Sequence, residues 1–429
     1  MRRSQIIRLA LIGTIIILAL FLGSERIRSV QETAWSQTYG GNDHDYAFAL
    51  IQTLDGGFAL MGYTISFGAG EDDIWLVKTD ANGVAQWNQT YGGDDDEKAY
   101  SIIQTADGGF ALAGETNSFG AGSYNMWLVK TNANGVAQWN QTYGGNDYKF
   151  AYALIQTPDR GFALAGKTSS FGVAYSDMWL LKTDANGVAQ WNQTYGGIRD
   201  ELATALLQTA DGGFTLVGKT SSFGAGSYDM WLVKTDANGV AQWNQTYGGN
   251  SYDSASALIQ TPDGGLALAG YTFSFGAGED DMWLLKTDAN GVVQWNQTYG
   301  GNDSDSARAL VQTLDGGFAL AGSTFSFGAG RSDMWLVKTN ANGVAQWNQT
   351  YGGNDSDSAR ALVKTLGGGF ALAGSTYSFG AGRNDMWLVK TKAQTIQDIP
   401  PIIIFGSFLI LGITTLLVIT LYNLSKYRS

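Results

Sequence analysis

Two series of carboxylates have the residue types and spacing that could bind a metal ion. Each series recurs at intervals of 52 residues, in loop-like segments. The first contains Asp45, Glu97, Glu201, Asp253, Asp305 and Asp357, with Lys149 as the exception, and the second contains Asp73, Asp177, Asp229, Asp281, Asp333 and Asp385, with Asn125 as the exception. Oxygen ligands suit Ca²⁺, but no copy has the full spacing of a known calcium loop. Asp also accepts backbone N–H bonds at turns. We favour this structural role, and we predict no cofactor, with Ca²⁺ as the alternative.

Residues for covalent or acid–base catalysis are scarce. His44 is the single histidine, and no nucleophile motif accompanies it. Cysteine is absent, so thiolate nucleophiles, thiolate metal sites and disulfides are excluded. Carboxylate pairs can cleave glycosides, but acids repeated in most copies look structural, because an active site should break the symmetry. We therefore predict that the protein is not an enzyme.

Two series of seven tryptophans account for all 14 Trp residues. They are Trp35, Trp87, Trp139, Trp191, Trp243, Trp295 and Trp347, and Trp75, Trp127, Trp179, Trp231, Trp283, Trp335 and Trp387. Aromatic faces can stack on sugars, which would suit a carbohydrate platform. Both series fall within predicted strands in every copy, so packing between repeats is the favoured interpretation.

The elements that position these residues follow from the 52-residue period, which indicates a radial or solenoid array. One repeat predicts four strands, at Ala47–Thr53, Phe58–Thr64, Ile74–Thr79 and Val84–Tyr91, separated by Asp-Gly, Gly-rich and Asn-Gly turns. The second and third strands are apolar on both alternating faces, so each sheet must be covered on both sides. The first strand is rich in Ala and the last is polar, as expected for inner and outer strands. The pattern predicts an all-β fold, a β-propeller of four-stranded blades.

The two ends of the array predict how the ring closes. It begins with an isolated outer strand, Trp35–Tyr39, and ends with a third strand, Met386–Thr391, which no turn follows. The N-terminal strand should therefore complete the last of seven blades and remove the exposed sheet edges.

The repeat resembles known propeller families. The segment from Asp80 to Trp87 (DANGVAQW) is similar to the tryptophan-docking motif of quinoprotein-type propellers, with one residue fewer before the glycine. The Tyr-Gly-Gly, Asp-Gly-Gly and Ala-Gly segments resemble β-propeller repeats of bacterial and archaeal surface proteins. The resemblance covers residues 34–391. It implies the fold and says almost nothing about activity, because propellers host many functions.

Differences between the copies concentrate on one face. We name the strands of a blade a to d, from the innermost to the outermost. The face that carries the d–a and b–c loops is called the top, and the face that carries the a–b and c–d turns is called the bottom. The bottom turns barely change, whereas top positions differ from copy to copy. We interpret the top as a ligand-binding surface, although drift in permissive loops is the alternative. The predicted contact residues are His44, Tyr46, Glu71, Tyr148, Phe150, Tyr175, Tyr252, Glu279, Arg331 and Arg383.

Two apolar segments flank the repeats. We predict a signal peptide or signal anchor at 1–24, a linker at 25–33, the propeller at 34–391, a linker at 392–401, a transmembrane helix at 402–422 and a cytoplasmic tail at 423–429. Basic residues at both outer ends of these segments place the propeller outside the cytoplasm. The net charge of −12 argues against nucleic acid and against anionic lipid as partners.

Eight sequons are candidate N-glycosylation sites. Six repeat on the outer strand, and two lie in top loops: Asn88, Asn140, Asn192, Asn244, Asn296 and Asn348, and Asn302 and Asn354. Modification needs a host that glycosylates exported proteins, so one chance motif copied six times is the alternative.

These features predict a membrane-anchored, extracytoplasmic propeller that binds an extracellular protein or glycan through its top face. A structural component of a surface layer is the alternative, and a glycan-cleaving or quinoprotein-type enzyme is the third class. A deep axial pocket with converging, unlike polar groups would favour the enzyme.

Overall fold

The computed structural model describes residues 33–172 and 175–393. The predicted signal segment and transmembrane helix lie outside the described residues. Within the described ranges, no helix has the length and apolar character needed to cross a bilayer.

Twenty-eight strands form seven antiparallel sheets of four, which confirms the predicted seven-bladed propeller. Blades 1 to 3 contain β2 (Asp45–Gln52), β3 (Phe58–Thr64), β4 (Asp73–Thr79) and β5 (Ala85–Tyr91); β6 (Glu97–Gln104), β7 (Phe110–Thr116), β8 (Asn125–Thr131) and β9 (Ala137–Tyr143); and β10 (Lys149–Gln156), β11 (Phe162–Thr168), β12 (Asp177–Thr183) and β13 (Ala189–Tyr195). Blades 4 to 6 contain β14 (Glu201–Gln208), β15 (Phe214–Thr220), β16 (Asp229–Thr235) and β17 (Ala241–Tyr247); β18 (Asp253–Gln260), β19 (Leu266–Thr272), β20 (Asp281–Thr287) and β21 (Val293–Tyr299); and β22 (Asp305–Gln312), β23 (Phe318–Thr324), β24 (Asp333–Thr339) and β25 (Ala345–Tyr351). Blade 7 contains β26 (Asp357–Lys364), β27 (Phe370–Thr376), β28 (Asp385–Thr391) and, as its outer strand, β1 (Thr33–Tyr39).

The predicted closure is confirmed by the pairing of the first and last strands. β1 pairs antiparallel with β28, from Thr33 opposite Thr391 to Tyr39 opposite Met386. The outer strand of blade 7 therefore comes from the start of the array, and the ring closes through backbone hydrogen bonds.

The core lies between the blades. Strands b and c are almost wholly buried, because both faces of each sheet pack against neighbouring sheets. Each of seven apolar clusters joins strands of adjacent blades. Strand d is mostly exposed, in agreement with its polar sequence.

Both tryptophan series serve packing, as the sequence predicted. Trp75 is 4% exposed, and its six counterparts are similarly buried. Trp35, of the other series, contacts Phe58 of the next blade edge-on, with the ring centroids 5.9 Å apart. Its ring also lies against the turn glycine Gly83, which has a φ of +79°. Equivalent glycine contacts hold six of the seven outer strands against the c–d turn of the following blade, since blade 7 has no such turn.

Strand a contains a β-bulge that the sequence analysis missed. In blade 1, Ala47 pairs with Gly62 and Ala49 with Met61, so Phe48 has no partner in the ladder. The same irregularity recurs in all seven blades. The bulge brings the Tyr46 carbonyl to within 1.8 Å of the position that a Cβ atom on Gly62 would occupy. Glycine at this site is therefore a packing requirement.

Candidate functional site

The top loops of adjacent blades contact each other, so the predicted binding face is one continuous surface. Single parallel bridges join His44 to Asn384, Ser176 to Asp200, Tyr228 to Tyr252 and Ser332 to Ser356. The predicted contact residues lie on this face, but the structure divides them between an outer rim and the centre.

The rim residues stand apart from one another. Glu71, Tyr175, Glu279, Arg331 and Arg383 belong to b–c loops of different blades and are exposed, with Tyr175 81% accessible. They form no common cluster in the described residues.

The central residues converge on the propeller axis. Tyr46 and Phe150, which the sequence predicted, occupy the same position in two blades. The structure places two further series of residues beside this position. One is the bulge residue of strand a in each blade, and the other is the strand b residue that pairs with the Tyr46 position. The bulge residues are Phe48, Tyr100, Tyr152, Thr204, Ser256, Arg308 and Arg360, and the strand b residues are Tyr63, Glu115, Lys167, Lys219, Tyr271, Ser323 and Ser375. The axial cluster is defined as these two series, the residues at the Tyr46 position of every blade, and Tyr252.

Blades 1 to 3 supply an aromatic half of the axial cluster. Phe48 contacts Tyr100 with the ring centroids 5.2 Å apart, and Tyr100 contacts Tyr152 at 4.9 Å. Tyr46 stacks on Tyr63 at 4.9 Å. Because the bulge residues of three neighbouring blades touch each other, they must lie close to the axis. The result is an arc of aromatic rings on one side of the propeller axis.

Blades 6 and 7 supply a cationic half. The Arg308 guanidinium lies over the Tyr271 ring at 5.5 Å, and that of Arg360 lies over Phe48 at 5.7 Å. Among the described residues, no carboxylate is within ion-pair distance of either arginine. Arg360 keeps solvent access, yet burial, and next the Arg308 charge, lower its pKa to about 10.

Serine side chains flank both arginines. Ser306 and Ser323 in blade 6, and Ser358 and Ser375 in blade 7, stand where blade 1 has Tyr46 and Tyr63. Small residues leave room beside the guanidinium groups. They also present hydroxyl groups that can donate and accept hydrogen bonds.

Glu115 of blade 2, Lys167 of blade 3 and Lys219 of blade 4 add charged groups to the axial cluster. Glu115 is 4% exposed, accepts a 2.9 Å hydrogen bond from Tyr100 Oη, and leaves its Oε2 atom without a partner. Burial raises the pKa of Glu115 to about 7, against the opposing effects of Tyr100 and the charges of nearby lysines. Burial lowers the pKa values of Lys167 and Lys219. The centre thus combines unlike polar groups, whereas the rest of the propeller repeats itself.

Comparisons with known proteins add little to this geometry. No family model matches the chain. A 187-residue stretch is 26% identical to the regulatory protein FlaEY of Caulobacter vibrioides; it covers 37% of this chain and only 20% of that protein. The chain thus spans about a fifth of the curated relative that it matches.

Solved structures share the propeller fold at low identity. The Pan2 WD40 domain of Neurospora crassa is 11% identical, with a TM-score of 0.48, and 84% of this chain aligns with 99% of that one. Sqt1 from Chaetomium thermophilum is 13% identical, with a TM-score of 0.45, and 81% aligns with 82%. A puromycin hydrolase mutant is 12% identical, with a TM-score of 0.48, and 79% aligns with 50%. A hydrolase and WD40 domains both occur among these neighbours, so the likeness does not decide between binding and catalysis.

Members of both repeated acid series accept backbone hydrogen bonds in their own loops. Asp45 Oδ2 accepts a 2.8 Å hydrogen bond from Gly41 N, and Asp73 Oδ2 accepts bonds from Ala69 N and Gly70 N. The described residues contain no group of three or more metal-ligating side chains.

The outer-strand sequons also have a structural role. The Asn88 Oδ1 atom accepts a 3.2 Å hydrogen bond from the Trp75 indole N–H, and five equivalent pairs repeat it. This bond explains why Asn recurs beside the outer tryptophans. The six Asn residues are exposed, as are Asn302 and Asn354, and glycosylation of all eight stays a prediction.

Proposed function

We propose that the protein is a binding module whose axial cluster captures an anionic ligand on the top face of the propeller. The observation that supports this proposal most strongly is the pair of arginines at the axis, Arg308 and Arg360. Burial and the Arg308 charge lower the pKa of Arg360, and neither arginine has an acidic partner in the described residues. A bound anion would offset this unfavourable arrangement through charge-assisted hydrogen bonds to the planar guanidinium groups.

An acidic sugar is the ligand class that uses both halves of the axial cluster. Its carboxylate or sulfate group would bind Arg308 and Arg360, while its ring would stack on the arc formed by Phe48, Tyr100 and Tyr152. The neighbouring serines match sugar hydroxyl groups as hydrogen-bond partners. A neutral sugar would leave the arginines unpaired, and a simple anion would leave the rings unused.

Isothermal titration of the purified full-length chain with uronic-acid oligosaccharides tests this ligand class. We expect binding that weakens as salt rises, at least about tenfold tighter than that of neutral oligosaccharides of equal length, because one lost charged contact costs about 1.5–3 kcal/mol. Equal affinity for acidic and neutral oligosaccharides, or no binding to either, would contradict the proposal.

A second candidate function is hydrolysis of the same ligand, and Glu115 is the residue that favours it. A pKa of about 7 lets this carboxyl group act as a general acid or base near neutral pH. Glycoside cleavage commonly needs two carboxyl groups, and Tyr100 covers Glu115 with a hydrogen bond. Chemical analysis of the ligand after titration separates the candidates, because a binding module returns it intact.

We also propose that the propeller is anchored to a membrane, outside the cytoplasm, with its bottom toward the bilayer. β1 begins and β28 ends at the bottom, so both connections to the apolar segments leave from that face. From Lys392 to Ile399 the chain can span at most about 26 Å. The residues of the axial cluster would then face outward.

The underside of blade 7 supports this orientation. In the other six blades, the counterpart of Lys390 forms an ion pair with an a–b turn Asp, which Gly367 replaces in blade 7. Lys364 and Lys392 also stand where the other blades have Gln and Asp or Asn. Excess positive charge next to the exit of the chain suits anionic headgroups.

Protease cleavage in intact cells tests the anchoring and orientation. One protease site is inserted in the top loop at Arg331, and a matched site is inserted in the bottom turn at Asn342. We expect cleavage at the top site and protection of the bottom site until the cells are lysed. Protection of both sites would place the propeller in the cytoplasm, and equal cleavage would contradict a membrane-facing bottom.

A further inference from the structure

Buried carboxylates meet in pairs across six of the seven blade junctions. At the junction of blades 7 and 1, the Asp385 Oδ1 atom and the Asp45 Oδ2 atom lie 1.7 and 2.8 Å from the same point, the Cβ position of Gly40. The two oxygens are therefore within about 4.5 Å of each other. The pairs are Asp73 with Glu97, Asp177 with Glu201, Asp229 with Asp253, Asp281 with Asp305, Asp333 with Asp357, and Asp385 with Asp45.

In three of these pairs, those of Asp305, Asp333 and Asp385, at least one carboxylate oxygen has no hydrogen-bond partner. Asp385 Oδ2 accepts bonds from Ala381 N at 2.9 Å and Gly382 N at 3.3 Å. Its Oδ1 atom faces Asp45 and has no partner, although the residue is 1% exposed. Asp333 Oδ1 is in the same situation toward Asp357. An unpartnered carboxylate oxygen therefore points into these junctions, where it meets a second carboxylate.

Two adjacent, buried negative charges are unfavourable without a compensating cation. Burial and, as a smaller cause, the second acid raise the pKa values of Asp333 and Asp385, which accept hydrogen bonds from backbone N–H groups of their own loops. Among the described residues, no lysine or arginine forms an ion pair with either member of the five pairs other than that of Asp177 and Glu201.

The remaining junction, between blades 2 and 3, contains a cation of its own. Asn125 and Lys149 replace the two acids, and Lys149 is fully buried. Its Nζ atom donates to the backbone carbonyls of Gly145, at 2.6 Å, and Asp147. The matching carbonyls of Gly93 and Asp95 in the preceding junction, between blades 1 and 2, both lie within 2.7 Å of the Cβ position of Gly70. The exception thus has an ammonium group and neither of the two carboxylates.

We propose that each of the six acid junctions binds one divalent cation of the calcium class, and that the Lys149 ammonium replaces it at the seventh. Carboxylate and backbone carbonyl oxygens are the ligands that Ca²⁺ prefers. A divalent ion would neutralise each pair and connect strand c of one blade with strand a of the next. The ions would then stabilise the ring at its junctions, independently of any ligand at the axis.

The number of calcium ions bound per chain tests this proposal. The variants are designed after the junction of blades 2 and 3, which has Asn125 and Lys149 in place of the acids. The full-length chain is equilibrated with Ca²⁺, freed of unbound metal and analysed by elemental mass spectrometry. We expect six ions per chain, five in the double variant Asp333→Asn/Asp357→Lys, and seven in the double variant Asn125→Asp/Lys149→Glu. Each variant installs a pair of residues that another junction of this chain already contains.

Thermal unfolding of the unmodified chain gives a second readout that does not depend on whether the variants fold. We expect the unfolding temperature to rise as Ca²⁺ is added and to fall with a chelator, because an ion bound only by the folded state stabilises it. The absence of retained calcium together with an unchanged unfolding temperature would overturn the proposal. The same holds if stability falls from pH 5 to pH 8 without any effect of metal, because a shared proton would then hold the pairs.

Discussion

Removal of β1 is expected to abolish cooperative folding of the propeller. β1 supplies the outer strand of blade 7 through its pairing with β28, and no other segment in the described residues can replace it. The deletion also removes Trp35, which packs on Phe58, and the 2.6 Å hydrogen bond that Tyr39 Oη donates to the Gly83 carbonyl. Trp35 is partly buried, so its own share is below the roughly 3–5 kcal/mol of a fully buried aromatic residue, but the deletion also removes the whole ladder between β1 and β28.

Circular dichroism during heating and size-exclusion chromatography would measure this loss. The deleted chain should unfold over a broad range and associate through the exposed edge of β28. The matched control is Ser36→Ala, which keeps the strand and changes only an exposed side chain of β1. A deletion variant that melts as sharply and at the same temperature as the control would contradict closure by β1.

Gly374→Ala is expected to destabilise the fold by at least about 3 kcal/mol, the upper part of the range for overpacked cores. A Cβ atom at this site would lie 1.8 Å from the Ser358 carbonyl oxygen, and both groups belong to the backbone of paired strands. Neither can move without breaking the ladder around the bulge at Arg360.

Gly367→Ala in the same blade is the control, because no atom lies within 4 Å of its Cβ position. Urea unfolding of both variants would measure the difference in the free energy of unfolding. Equal stability of the two variants would contradict the strand a bulge, and with it the placement of Arg360 at the axis.

The fold could be predicted from the sequence because its signals are local and repeated seven times. Asn-Gly and Asp-Gly turns placed the hairpins, and the two-sided apolar strands required stacked sheets. The lone strand at Trp35 and the missing turn after Thr391 established the closure. The observed strands differ from the predicted ones by one or two residues, as at Asp45, where strand a starts earlier than expected.

The axial cluster was only partly predictable. Tyr46 and Phe150 were found because their positions vary between copies. Phe48, Arg308 and Arg360 were missed, because simple alternation along a strand does not reveal a bulge residue. Variation within strand a was the available signal, since Phe, Tyr, Thr, Ser and Arg occupy this position beside nearly invariant alanines.

The pairing of the acids could not be predicted from the sequence of a single repeat. The sequence placed both carboxylate series on the top face, yet it did not show that Asp385 meets Asp45. Each pair joins strand c of one blade to strand a of the next, so it exists only in the assembled ring. Asn125 and Lys149 looked like two separate exceptions until the structure brought them together.

The affinity of two arginine double variants for the same uronic-acid oligosaccharide tests the central claim most directly. The axial variant, Arg308→Ser/Arg360→Ser, introduces the residue that blade 5 has at the same position, Ser256. The rim variant, Arg331→Ser/Arg383→Ser, introduces the residue that blades 2 and 4 have at the same position, Ser123 and Ser227. Both variants lose two positive charges, so they differ in location alone. We predict that the axial variant binds at least about tenfold more weakly and with less salt dependence, whereas the rim variant binds like the unmodified chain. Loss of affinity in the rim variant alone, or an equal loss in both, would contradict recognition at the axis.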